Sequence, residues 1–256
     1  MNVLQFNIFD GCNDSSERLR NIGSWLTTRS YDIVGFNELL DWRESPDMKG
    51  RARKWEYPYS EIFVTERSRH FVGVMSKFPI TVIGRIEESF HHGLLHVMIR
   101  GDHYLITHLS PGDSSAREME ANRIAELVQI DAPLLLMGDL NTLSPLDKMT
   151  HNRAGLLEVL MADSSLRRKF VKGGSINYRP MQTLLNAGLQ DLGAADKGAY
   201  SVPTSYNQDK MHAAKMRLDY MLANNAFLDR SPQVHIIRGN EVDLLSDHYP
   251  IECTWT

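Results

Sequence analysis

The segment Met137-Gly138-Asp139-Leu140-Asn141 closes an apolar run that begins at Pro133, and closes it with a carboxylate and a carboxamide. A buried strand that stops this way delivers both groups to its C-terminal lip, where open α/β sheets place their chemistry. Similar groups stand at other breaks in the pattern: Asn7, Glu38, His108, Asp219 and the pair Asp247-His248. Carboxylates and carboxamides are hard oxygen donors, suited to Mg²⁺ or Mn²⁺ rather than to zinc. Histidines flanked by carboxylates handle protons and stabilise charge. A carboxylate-held magnesium ion open to a phosphate is the usual arrangement for phosphoester hydrolysis. Singly, each residue has a plainer explanation as a turn former, a helix cap or a solvated charge.

The elements that would carry these groups are read from periodicity and turn signals. Strands are predicted at Val3–Ile8, Ile33–Phe36, Ser60–Thr65, Phe71–Ser76, Ile80–Glu87, Leu94–Arg100, Tyr104–Thr107 and Leu134–Met137. Three more, Leu218–Leu222, Val234–Ile237 and Pro250–Thr254, close the chain. Ser15 to Thr28 reads as a helix with Leu19, Ile22, Trp25 and Leu26 on one stripe and Asp14 or Ser15 as cap. A short polar helix is expected at Asp47–Trp55. An amphipathic helix is expected at Ser114–Ile130, with Met119, Ile124, Leu127 and Val128 inward. Ala154 to Ala187 reads as two or three helices. The expected organisation is a single domain over residues 1–256 with a helical insert at about 151–187.

Connectivity adds a constraint. Helices return the chain after the first two strands, so these run the same way, and short turns force the following strands to alternate. Tracing that path puts Asn7, Glu38, His108, Asp139, Asn141, Asp219, Asp247 and His248 on one rim. Chance would scatter them over both ends of the sheets.

On these residues the chain resembles the endonuclease/exonuclease/phosphatase superfamily, the DNase I-like metal-dependent phosphoesterases. The segments that carry the resemblance are Leu4-Gln5-Phe6-Asn7, Gly35-Phe36-Asn37-Glu38, Gly73 to Ile80, Thr107-His108-Leu109, Gly138-Asp139-Leu140-Asn141, Arg217-Leu218-Asp219-Tyr220-Met221 and Ser246-Asp247-His248-Tyr249-Pro250. They span nearly the whole chain. The resemblance implies an α/β (α+β) four-layer sandwich of two face-to-face mixed sheets flanked by helices. It also implies one or two Mg²⁺ (or Mn²⁺) ions, with Glu38 as principal ligand and Asn7 and Asp247 close by. By the same resemblance Asp139 orients or deprotonates the attacking water and Asn141 contacts phosphate. His248, paired with Asp219, would stabilise the transition state, and His108 would protonate the leaving group or contact phosphate. The family often has Gln before the metal-binding Glu; here it is Asn37.

Substrate recognition is expected from the remaining rim loops. Glu66 to His70 offers two guanidiniums, Phe90 to Gly93 two histidines, and Lys210 to Lys215 further cations beside Arg217. Arg69, His92 and Arg217 are the expected substrate contacts. A phosphodiester substrate, nucleic acid among the candidates, is the first reading. A small-molecule or lipid phosphoester is the second, and a non-catalytic binding protein on the same fold is a third. The insert carries the basic runs Leu166 to Phe170 and Ile176 to Met181, but no aromatic array for stacking single strands.

Composition is compatible with this. The 256 residues are 42% hydrophobic, with a formal net charge of −4 that gives no sign of a dedicated nucleic-acid binder. The cysteines Cys12 and Cys253 make neither a disulfide framework nor a zinc spacing, and buried free thiols are expected. No signal peptide and no membrane span is read, so the expected location is cytoplasmic, with no obligatory protein partner.

Overall fold

The structure, a computed structural model, describes residues 1–43, 47–196, 198–206 and 212–255. The chain begins with β1 (Asn2–Asn7), α1 (Ser16–Arg29), β2 (Ile33–Leu40) and α2 (Met48–Lys54). It then forms β3 (Tyr59–Phe63), β4 (His70–Ser76), β5 (Thr81–Ile86), β6 (Leu94–Ile99) and β7 (Asp102–Thr107). Next come α3 (Ser114–Leu127), β8 (Leu134–Asp139), α4 (Lys148–Arg153), α5 (Leu156–Ala162) and α6 (Ser164–Phe170). A small hairpin of β9 (Val171–Lys172) and β10 (Ser175–Ile176) leads to α7 (Arg179–Asn186) and β11 (Gln190–Asp191). The chain ends with β12 (Asp219–Ala223), α8 (Asn225–Leu228), β13 (Gln233–Ile236) and β14 (Ile251–Thr254).

Two six-stranded mixed sheets result, in the orders β13-β14-β1-β2-β4-β3 and β11-β12-β8-β7-β6-β5. Among the described residues only β1–β2 and β7–β8 pair in parallel, and helices make both of those crossovers. The inner faces meet in one core, where Val3, Val72 and Val74 join Val97, Ile106, Leu135 and Met137. The outer face of the first sheet turns Phe6 and Phe36 toward α1 and α2, against Trp25 and Trp55. On the outer face of the second, Leu105 and Leu136 pack with Ile124 of α3 and Leu184 of α7. This is the four-layer arrangement expected. Each fully buried aromatic or large aliphatic side chain contributes roughly 1.5–3 kcal/mol to holding the layers together. Residues Leu156, Leu160, Leu166 and Phe170 form a third cluster with Val202, Met216 and Leu218, which fastens the helical segment after β8 to the start of β12.

Several local expectations are corrected. The second strand does not stop at Phe36. It runs to Leu40, and its register against β4 shifts between Phe36 and Leu39, with Glu38 at φ +59°. That bulge turns the Glu38 side chain out of the strand's alternation. The segment 154–187 carries the expected helices, α5, α6 and α7, with the β9–β10 hairpin between the last two. Met119 does not face inward; it is 58% exposed, and the buried face of α3 instead carries Arg117, Glu120, Ala121 and Ile124. Both cysteines are buried and free. Among the described residues no helix is long and apolar enough to cross a membrane.

The sheets are joined at their upper ends through Asn37. Its Nδ2 donates to the Thr107 carbonyl at 2.9 Å, and its Oδ1 accepts from the Asp139 amide at 2.7 Å and from Gln5 Nε2 at 2.8 Å. Approach is close here. A Cβ on Gly138 would lie 1.8 Å from the Thr107 carbonyl oxygen, at a φ of +157° that L-residues rarely adopt. Gly138→Ala should therefore destabilise the protein by roughly 1–3 kcal/mol or more through overpacking. Asn37→Ala, which strands a buried N–H and a buried C=O, should cost about 1–3 kcal/mol for each. Urea unfolding midpoints check both.

Candidate active site

Strand ends from both sheets bring the rim together. Asn7 and Glu38 come from β1 and β2, and Asp139 and Asn141 from the end of β8. His108 follows β7, Asp219 opens β12, and Asp247-His248 precede β14. All are buried except Glu38, which is half-buried at the mouth.

The Oδ2 atom of Asp139 is the centre. It lies 3.3 Å from Asn7 Nδ2, 3.4 Å from His108 Nε2 and 3.7 Å from His248 Nε2. The other oxygen, Oδ1, accepts from the Asn141 amide at 2.9 Å, a local turn that sets Asn141 at φ +49°. The Asn141 carboxamide nitrogen then sits 3.0 Å from both His108 Nε2 and the Leu109 carbonyl. Asn7 Nδ2 also reaches Glu38 Oε1 at 3.0 Å, and the Asp10 amide donates to Glu38 Oε2 at 3.1 Å. His248 Nδ1 pairs with Asp219 Oδ2 at 2.7 Å. Ser201 Oγ accepts from the amides of Leu218 and Asp219, and Ser246 Oγ donates to the Asn7 carbonyl, so loop hydroxyls fix the strand ends.

The electrostatics follow from this packing. Burial alone would raise the Asp139 carboxyl, but His248 and His108 outweigh it and hold it far below the ordinary range. Burial would likewise discharge His248, yet Asp219 and Asp139 hold it protonated, well above an ordinary histidine. His108 is raised in the same sense, burial being overcome by Asp139 and Glu38. Asp247 is different: burial pushes its carboxyl up to about 7, and the neighbouring Glu38 and Asp139 charges add to that. Glu38, Asp139 and Asp219 thus converge with His108 and His248 as cationic partners, while burial and the His248 charge keep His212, beside Asp247, uncharged. An acid held up by burial and like charges is a group that a bound cation would relieve. The donor set of Glu38, Asp247 and the Asn7 carboxamide fits a hard divalent ion.

The structure brings together Asn7, Glu38, His108, Asp139, Asn141, Asp219, Asp247 and His248 as expected from connectivity. His92 joins them, its ring stacked on His108 at 4.3 Å and 9°. Arg217 does not. Its guanidinium is buried between Asp147, at 2.7 and 3.0 Å, and Asp191, at 2.6 Å. Arg69 forks onto Asp41 at the surface. Lys210 and Met211 lie outside the described residues. Sequence reasoning did not single out Asp10, His70 or His212. Asp10 Oδ1 and His70 Nε2 meet at 2.7 Å beside Glu38, and His212 Nδ1 lies 3.6 Å from Asp247 Oδ2. Only the loops of His70 and His212 carried a signal.

The sequence profile of the Endonuclease/Exonuclease/phosphatase family matches residues 4–248, which takes in every residue of this rim. The chain belongs to that family. As a member of the endonuclease/exonuclease/phosphatase family it is a hydrolase of phosphoester bonds. Its fold is similar to that of an AP endonuclease from Archaeoglobus fulgidus, with a TM-score of 0.73 at 16% identity, covering 100% of this chain and 99% of the other. A 3'-5' exonuclease (NExo) from Neisseria meningitidis aligns with a TM-score of 0.69 at 14% identity, covering 100% and 99%. D. rerio TDP2 complexed with a single-strand DNA product aligns at 0.65 and 15%, covering 100% and 98%. No curated protein matches the chain in sequence.

Within this family member, Arg217 has a structural job. Removing one partner of a buried ion pair leaves the other charge uncompensated, at a cost of about 3–5 kcal/mol. Arg217→Met should lower the unfolding free energy by that amount. A folded variant with an unchanged urea midpoint and a raised KM would return Arg217 to the substrate wall.

Proposed function

We propose that this enzyme is a Mg²⁺- or Mn²⁺-dependent phosphodiesterase, with nucleic acid as its first candidate substrate, in which water attacks phosphorus at the rim. The observation that carries the reading is the position of Asp139 Oδ2, a carboxylate kept ionised between two imidazoles and an amide.

In this reading Glu38, Asp247 and Asn7 hold the divalent ion. When bound, it supplies Lewis-acid polarisation of the phosphoryl group and neutralises developing charge. The rest is done by the chain's own groups. Asp139 orients a water molecule and takes its proton as the new O–P bond forms. His248, held cationic by Asp219, donates to a non-bridging oxygen whose charge grows in the transition state. His108 gives a proton to the departing oxygen as the old P–O bond breaks. Asn141, fixed beside His108 by its bond to the Leu109 carbonyl, contacts a phosphoryl oxygen of the substrate. Arg69, at the mouth, is a candidate contact for a flanking phosphate.

Support for nucleic acid comes from the neighbours: the Archaeoglobus protein is an AP endonuclease, and the TDP2 structure holds single-strand DNA. We assign residues 151–187 to substrate selection, as an insert within one domain, because the segment begins ten residues after Asn141.

Asp139→Asn should lower kcat on an aryl phosphodiester by roughly three orders of magnitude, the scale of a lost catalytic base with its electrostatic role. Chelation by EDTA should abolish wild-type turnover, and added Mg²⁺ or Mn²⁺ should restore it. Comparison of abasic-site DNA, single-stranded RNA, inositol phosphates and sphingomyelin as substrates then names the class. His248 must be charged to act, so its deprotonation sets an alkaline limb. Asp219→Asn removes an anion that raises His248, and should move that limb to lower pH. A limb that stays in place in the pH–rate profile would remove His248 from this role.

A further inference from the structure

The stacked pair of His92 and His108 contains a feature the proposed reaction does not use. His92 is buried to 2% exposure, and its Nε2 has no hydrogen-bond partner among the described residues. The other ring nitrogen, Nδ1, lies 2.6 Å from Ser68 Oγ. Ser68 Oγ in turn accepts from the backbone amide of His70 at 3.1 Å. A hydroxyl has one proton to give. If Ser68 gives it to His92 Nδ1, the hydroxyl is fully used and the ring carries its own proton on Nε2. In the reverse arrangement the ring supplies the only proton between the two groups, and the buried Nε2 lone pair goes unmet. The first arrangement leaves one group wanting, an N–H donor, and buried donors do not stay unpaired without cost.

The ring is held rigidly. Glu120 of α3, itself buried, accepts from the His91 amide at 2.9 Å with one oxygen and from the Ser110 amide at 2.8 Å with the other. One carboxylate therefore fixes the loop carrying His92 and the loop following His108 relative to each other. Thr107 Oγ1 donates to the Gly93 carbonyl at 3.0 Å, and a Cβ on Gly93 would strike the Phe63 ring at 2.2 Å. Burial, with the adjacent His108 charge, keeps His92 uncharged. A neutral ring can stack face to face on a cationic His108; two cations could not.

We propose that His92 is a catalytic-site hydrogen-bond donor, its Nε2–H tautomer set by Ser68 and its acceptor an oxygen of the substrate's phosphoryl group. It differs in kind from His108 and His248: it contributes direction and a dipole without charge, and it transfers no proton. The inference rests on the phosphoester reading of this site and specifies how His92, expected as a substrate contact, acts in it. Glu120 is its positioning residue.

Two measurements test it separately from that reading. In the intact protein, ¹⁵N-resolved NMR of the histidine rings should find the His92 proton on Nε2, and Ser68→Ala should convert this to a mixture of tautomers. Titration with inorganic phosphate should shift the His92 Nε2–H signal in wild type. With an aryl phosphodiester and Mn²⁺, His92→Phe should keep the stack but lower kcat/KM by roughly 10- to 100-fold, the worth of one buried hydrogen bond. His92→Gln, which returns a donor near the Nε2 position, should recover part of the loss. A proton on Nδ1, or a phosphate titration that leaves His92 unmoved, overturns the proposal even if no substrate is turned over. If the wild type is active and folded His92→Phe matches it, the proposal fails while the hydrolase reading stands. Should His92→Phe not fold, Ser68→Ala, at a half-buried loop position, decides by its tautomer and its kcat/KM.

Discussion

The carboxamide of Asn37 holds the two halves of this protein in register. One side chain takes the Thr107 carbonyl, the Asp139 amide and the Gln5 carboxamide, and so ties the top of the first sheet to two strands of the second. A sandwich closed only by apolar contacts could slide by a fraction of a residue at small cost. A buried amide with a donor and a doubly used acceptor cannot, because each misplacement leaves a polar group unpaired. The bare backbone of Gly138 allows the approach. With the register set in this way, Asn7 and Glu38 from one sheet arrive within hydrogen-bond reach of each other, and Asn7 within reach of Asp139 from the other sheet.

That register sets a charge problem, and the site's chemistry is its solution. Glu38, Asp139, Asp219 and Asp247 are drawn into a poorly hydrated space with His108 and His248 among them. The anions hold the two imidazoles protonated, and the imidazoles hold Asp139 ionised. Asp247, its carboxyl pushed up to about 7 by burial and by the neighbouring Glu38 and Asp139 charges, is a group that a divalent ion would relieve. A site that keeps its donors and acceptors charged and fixed before substrate arrives spends little on reorganisation during reaction.

Much of this was legible in the residues. Strand ends, turn signals and the parity of up and down strands were enough to place the rim, because β1–β2 and β7–β8 obey the crossover logic of parallel pairs. The details that were not legible depend on contacts distant in sequence. Arg217 looks like a substrate cation until Asp147 and Asp191 are found around it. Met119 has the right spacing for a core position, but Arg117 and Glu120 take the inward face of α3 to hold the 108–112 loop, with Arg117 bonded to the Ser110 and Gly112 carbonyls. The bulge at Glu38 leaves no mark in composition, since a left-handed glutamate is favoured only by what it binds. His212 stood in a loop marked out for its cations, while its contact is with Asp247 and its ring meets His248 edge-on. Asn37 itself registered only as a departure from a family habit, and its importance came from geometry.

The claim beneath all of this is that water attacks phosphorus at Asp139. Turnover of a phosphodiester in heavy-oxygen water, with mass spectrometry of both products, puts that claim to the test. One labelled oxygen is expected in the phosphate-bearing product and none in the released alcohol, with the labelled product lost in Asp139→Asn. Label in the alcohol, or undiminished labelling of the phosphate by Asp139→Asn, would contradict it.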